Sequence, residues 1–215
     1  MDRRLIAALN RIIANDDTFK KLIKDFTDHT SPVGEIEGTE QADDLFHYLE
    51  ENPEVLEGVD VAENQKTLYR TIVLSSFEPL VTISKGTLPK RGKLESWTLD
   101  ANLAVRHIEG VTDMQWDYAI EVAKDVPVSE RLICLPCEDI GFNDEGEVIC
   151  YPQSLTSKNI HNIFVLVPDE DQEPGEGNIE VTTLSEKGRN KLLGDAKKGF
   201  KDYDGFVDAL IAALP

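Results

Sequence analysis

The sequence predicts an α+β fold: helices at the N-terminus, a mainly antiparallel sheet with one intervening helix, and a closing C-terminal helix. Three observations predict it. Apolar residues recur at helical spacing up to about residue 65. From about Leu68 the pattern changes to short β-branched or alternating segments separated by turn residues. Those segments follow one another too closely for a helix after every strand, which argues against a doubly wound parallel sheet. The chain divides accordingly into a helical N-terminal part, residues 1–65, and an α+β sheet domain, residues 66–215.

Leu5, Ile6, Leu9, Ile12 and Ile13 form one apolar stripe, and Phe19, Leu22, Ile23 and Phe26 form a second. Between them Asn15-Asp16-Asp17-Thr18 offers N-cap residues, so two helices or one interrupted helix are expected. Ser31-Pro32-Val33-Gly34 reads as a loop. Ala42, Leu45, Phe46 and Leu49 then mark an amphipathic helix with Asp43, Asp44, Glu50 and Glu51 on its polar side. Asn52-Pro53-Glu54 starts a short helix with Asn as cap and Pro in first position.

Strands are expected at Tyr69–Ser75, Leu80–Ser84, Leu94–Leu99 and Leu103–Ile108. The intervening helix is placed after them. There Thr112-x-x-Gln115 is a capping box, Trp116, Ala119, Ile120 and Ala123 form a stripe, and Pro127 ends the run. Further strands are read at Arg131–Leu135, Asp139–Phe142, Glu147–Tyr151, Ile160–Val167 and Ile179–Thr183, with a closing helix at Tyr203–Leu214. No internal repeat is present.

The net charge is −19, and the charges are segregated. Between Asp25 and Glu63 there are thirteen acidic residues and no Lys or Arg. Between Glu138 and Glu186 there are twelve, against the single Lys158. The cations gather at Arg3, Arg4, Arg11, Lys20, Lys21 and Lys24, and again at Lys187, Arg189, Lys191, Lys197, Lys198 and Lys201. Such a field orients a charged partner and repels nucleic acid. No apolar run reaches the ~18 residues of a membrane span, and Met1–Ile6 leads into too short an apolar stretch for a signal peptide. With three cysteines, a disulfide framework is not expected, so a reducing, cytoplasmic setting is.

One constellation could hold a metal. Cys134, Cys137, Cys150 and His161 supply three thiolates and an imidazole, as a tetrahedral zinc site requires. Turn chemistry opposes it. Asn143-Asp144-Glu145-Gly146, with Gly146 left-handed, makes a three-residue hairpin loop with a bulge. Phe142 then faces Val148 and Ile140 faces Cys150, which puts Cys150 on the apolar side and Cys137 on the other. Core cysteines and no cofactor are therefore expected, with zinc as the alternative. Asp169, Asp171, Glu173 and Glu180 match a calcium-loop frame, but Pro174 stands where a sharp glycine turn is needed, which favours a solvated loop.

No nucleophile elbow, phosphate loop, dinucleotide fingerprint or paired-histidine metal motif is present. The four histidines share no helix face. The basic stretch Lys85–Lys93 reads as the charged tip of a hairpin between Leu80–Ser84 and Leu94–Leu99, without the interleaved aromatics of a single-strand binder.

The order Phe77-Glu78-Pro79-Leu80-Val81-Thr82-Ile83, charged hairpin tip, Trp97-Thr98-Leu99, strand Leu103–Ile108 and helix Asp113–Lys124 resembles that of tail-terminator and tail-completion proteins of tailed phages. The resemblance ends at Val126. It implies N-terminal helices ahead of the sheet, rings formed through edge strands and charged faces, a virion location and no catalytic residue. The leading expectation is a non-enzymatic acidic interaction or assembly protein, including a virion tail or neck subunit and a homo-oligomer. It would present Asp43, Asp44, Glu50, Glu51, Glu54 and Glu57 to a protein with a basic surface, without touching nucleic acid or membrane. Two alternatives stand beside it. One is an acidic DNA mimic that inhibits a nucleic-acid-binding protein. The other is a zinc protein or an enzyme built from scattered residues.

Overall fold

The computed structural model describes residues 16–29, 40–57, 59, 61–74, 76–88, 90, 92–101, 118–135, 146–168 and 179–215. The elements are α1 (Asp17–His29), α2 (Glu40–Glu51), β1 (Thr67–Leu74), α3 (Glu78–Lys85), β2 (Thr87–Leu88), β3 (Glu95–Thr98) and β4 (Tyr118–Asp125). Then follow β5 (Arg131–Cys134), β6 (Glu147–Cys150), β7 (Leu155–Thr156), β8 (Ile160–Pro168), β9 (Ile179–Thr183), α4 (Glu186–Lys198) and α5 (Tyr203–Ile211). Seven strands form an antiparallel sheet in the order β5-β6-β3-β1-β4-β8-β9, and β2 pairs with β7 beside it. The fold class is α+β, as expected.

Each face of the sheet carries its own core because successive side chains of a strand point to opposite sides. On one face Leu68, Ile72, Trp97, Tyr118, Ile120, Val122, Val148 and Cys150 pack with Leu80 and Ile83 of α3, Leu192 and Ala196 of α4 and Phe206 and Leu210 of α5. Phe206 is fully buried, its ring tilted against Tyr118 at 5.0 Å and edge-on to Phe200 at 5.3 Å. On the other face Leu94, Ile133, Leu135 and Ile149 meet Phe19, Ile23 and Phe26 of α1 and Ala42, Leu45 and Leu49 of α2. The helices drawn from residues 1–65 thus share a core with the sheet. Alternation along β6 decides the split, with Val148 and Cys150 to one side and Ile149 to the other.

Two elements were expected with the wrong secondary structure. Leu80–Ser84 is helical, within α3. Pro79 suits the first turn, and Leu80 and Ile83, three apart, bury together as a helix face demands. The conjectured hairpin with Lys85–Lys93 at its tip is therefore absent: Thr87 and Leu88 pair with Thr156 and Leu155 instead. Conversely, Ala119, Ile120 and Ala123 lie in strand β4, where the sequence suggests a helix. β4 pairs with β1 from Thr67↔Asp125 to Leu74↔Tyr118 and with β8 on its other edge. Tyr118 through Val122 are all buried. A strand buried on both faces shows no polar alternation, so its sequence pattern is ambiguous.

Helix α4 was not expected at all. Ser185 caps it by accepting the amide of Gly188, and a Cβ at Gly188 would fall 2.1 Å from the Ala213 carbonyl oxygen. The first stripe (Leu5 to Ile13), the strand Leu103–Ile108, the capping box at Thr112, the strand Asp139–Phe142 and the loop 169–178 lie outside the described residues.

Candidate functional site

The acidic face is built on the α1–α2 pair. Asp16 caps α1 through its Oδ1, which accepts the Phe19 amide at 2.9 Å, and its other oxygen accepts the Tyr48 hydroxyl from α2. That bond to Tyr48 holds the Asp16 carboxyl below its ordinary value, and the same bond raises the Tyr48 phenol to about 12. The two helices are further joined by Phe19 and Tyr48, whose rings stack at 5.9 Å. With Ala42, Leu45 and Leu49 turned inward, Glu40, Asp44, His47 and Glu51 are exposed at positions i, i+4, i+7 and i+11. That spacing places them within about 60° of one another around the helix.

Glu50 is exposed and Asp43 half-buried beside this stripe. The turn Pro53–Leu56 continues it with Glu54, and Glu57 follows, both exposed. All six residues proposed from sequence for a basic partner therefore lie on one continuous segment, 43–57, which contains no Lys or Arg. A cation stands near its inner edge: Lys93 Nζ sits 5.1 Å from the centre of the Phe46 ring.

The zinc set does not assemble. Cys134 and Cys150 are buried on the face covered by α3–α5, and burial pushes the Cys150 thiol up to about 12. His161 is exposed on β8, which lies four strand spacings from β6, about 19 Å at the usual ~4.8 Å per strand. A tetrahedral zinc with bonds near 2.0–2.3 Å cannot span that distance. Cys137 lies outside the described residues, among which no cluster of three or more His, Cys, Asp or Glu could hold a metal. Gly146 does adopt a positive φ, 56°, as the turn reading requires. The register drawn from it fails, because β5 and β3 occupy the two edges of β6 and set Arg131 and Glu95 beside Cys150.

A second polar centre went unread in the sequence. Glu121, in the middle of β4, is 1% exposed. Its Oε2 accepts the Asn162 amide at 2.7 Å and lies 3.9 Å from His161 Nε2, while Oε1 has no hydrogen-bond partner among the described residues. The exposed His161 ring packs edge-on to Tyr69 at 5.9 Å. Burial raises the Glu121 carboxyl; the Asn162 bond and His161 oppose the shift, and Asp100 adds to it. The group can hold a proton where an exposed glutamate has lost one. Its only sequence signal was a charge within the apolar run Tyr118–Ala123, and the helical reading turned that charge to solvent.

Elsewhere half-buried charges are paired with neighbouring groups. Glu95 receives Arg70 at 3.3 Å, the Trp97 indole at 3.1 Å and the Gln153 amide at 3.0 Å. Lys124, lowered by burial, donates to the Ser154 carbonyl.

No protein-family model, curated protein or solved structure matches this chain. The functional reading therefore rests on its own geometry. No helix among the described residues is long and apolar enough to cross a membrane.

Proposed function

We propose that this chain is a non-enzymatic interaction and assembly protein that presents the acidic face of α2 and the following turn to a basic surface on a protein partner. The observation that supports this reading is the orientation of α2. Its apolar residues are committed to the core, and its carboxylates are displayed together with no Lys or Arg among them. A face of one charge sign attracts a cationic partner over a Debye length, and the Asp16–Tyr48 bond and the shared core hold α2 with that face outward.

The test uses an immobilised lysine-rich peptide in ~0.1 M salt. A variant carrying Asp43→Lys, Asp44→Lys, Glu50→Lys and Glu51→Lys should lose capture. A control with the same change in net charge, Glu78→Lys, Glu186→Lys, Asp204→Lys and Asp208→Lys on the opposite side, should retain it. Equal capture by the α2 variant and the wild type would refute the assignment, as would equal loss in both variants.

A further inference from the structure

The positive charges missing from α2 reappear on α4 with the same spacing. Exposed Lys187, Lys191, Gly194 and Lys198 stand at positions i, i+4, i+7 and i+11, the positions that Glu40, Asp44, His47 and Glu51 hold on α2. The two helices are 12 and 13 residues long. They cover opposite faces of the sheet, so their stripes cannot meet within one molecule.

We propose that the acidic stripe of α2 docks on the lysine stripe of α4 in a second copy of this chain, a deepening that rests on the reading of α2 as an interaction face. A parallel alignment sets Glu40 against Lys187, Asp44 against Lys191 and Glu51 against Lys198. It also lays the His47 ring over Gly194, where an added Cβ would meet nothing within 4 Å. The antiparallel alignment forms two ion pairs instead of three, Glu40 with Lys198 and Glu51 with Lys187, because it sets Asp44 against the glycine and His47 against a lysine. Existing partners do not block the contact. Lys191 donates to the Ala212 carbonyl at 2.8 Å, Lys198 to Asp195 at 2.8 Å, and His47 lies 3.7 Å from Glu50. All three are exposed interactions of the kind that exchange at little cost.

A contact between two different faces is heterologous, so it propagates: copies add head to tail and close into a ring or extend as a filament. Two electrostatic effects compete. Each copy carries −19, which repels other copies at long range, while the stripes attract at contact. The Debye length is about 30 Å at 0.01 M salt, about 10 Å at 0.1 M and about 3 Å at 1 M. Association therefore peaks at intermediate salt, where the long-range repulsion is screened and the contact pairs survive.

Sedimentation velocity of the full chain over that salt range is the experiment. Wild type should associate reversibly at ~0.1 M salt and less at ~0.01 M and ~1 M. Asp44→Lys/Glu51→Lys and Lys191→Glu/Lys198→Glu should each be monomeric alone, and an equimolar mixture should recover association. Far-UV circular dichroism checks their folding. If a reversal unfolds the chain, Asp44→Asn/Glu51→Gln takes its place, with association at least about fivefold weaker than wild type. A wild type that stays monomeric at every salt, a reversed variant that still associates alone, or a mixture that stays monomeric would overturn the proposal. The α4 variant should still be captured by the lysine-rich peptide. Capture without self-association sinks this contact and leaves the broader reading standing, whereas peptide capture that is indifferent to α2 reversal sinks the broader reading.

Discussion

Replacing Arg131 should unfold this protein more readily than any loss of a surface charge. Arg131 is 5% exposed, and its guanidinium uses all five N–H donors on backbone carbonyls. Nε and Nη2 donate to Val126 at 3.1 and 2.7 Å, Nη2 also to Lys66 at 3.2 Å, and Nη1 to Ala62 at 2.6 Å and Val61 at 3.4 Å. One side chain thereby ties the segment before β1 to the turn between β4 and β5. Arg131→Met keeps the apolar stem and removes every donor. The Val126 carbonyl, bonded in a buried setting, loses both donors at about 1–3 kcal/mol. The carbonyls of Val61, Ala62 and Lys66 are partly accessible, so water replaces some of the loss, leaving about 0.5 kcal/mol each. The sum is a destabilisation of about 2.5–4.5 kcal/mol. Arg131→Lys should cost about half as much, since its three donors radiate from one point. Urea unfolding followed by tryptophan fluorescence reads the midpoint at constant slope, and hydrogen exchange should show the 61–66 amides opening first. A loss under about 1 kcal/mol for Arg131→Met would refute the argument.

Two further predictions concern buried titratable groups. Folded Glu121 binds a proton more tightly than an exposed carboxyl at its ordinary 4.5, so the folded state is favoured most below that value. Its contribution falls as pH rises through the interval up to the raised folded value, and each unit of difference is worth about 1.4 kcal/mol. Glu121→Gln should abolish that part of the slope, so the stability of wild type relative to the variant should decline with pH between pH 4 and 8. A difference that stays flat across that range would refute it. Cys150, pushed up to about 12 by burial, and Cys134 beside it should resist alkylation at pH 8 in the native protein and react once it is unfolded. Native labelling of either, located by mass spectrometry, would count against the buried placement.

How much was legible depended on whether an element faces water. α1 and α2 each have one face in the core and one in solvent, so Phe19, Ile23 and Phe26, and Ala42, Leu45 and Leu49, announced themselves by spacing, and Asp16 by its capping chemistry. β6 and β8 were legible as strands for a different reason, their short runs of apolar and β-branched residues, although Val148, Ile149 and Cys150 are all buried. β4 was not, because both its faces are buried and Glu121 has no periodic context. α3 was misread because Val81, Thr82 and Ile83 are β-branched, a local preference that packing of Leu80 and Ile83 overrides. α4 was missed because Gly188 and Gly194 weaken its helical signal. Gly188 is explained only by the close approach of Ala213, which is remote in sequence.

The sequence by itself determined the α+β class, the charge segregation and the outward direction of the α2 carboxylates, because composition and helical periodicity are local properties. Tertiary structure alone decided that Cys150 and His161 lie four strands apart, that Glu121 is sealed in the sheet, and that the acidic and lysine stripes occupy opposite faces. Those outcomes follow from strand order, and strand order is set by which long-range pairings bury the most apolar surface, a sum over the whole chain that no short segment contains.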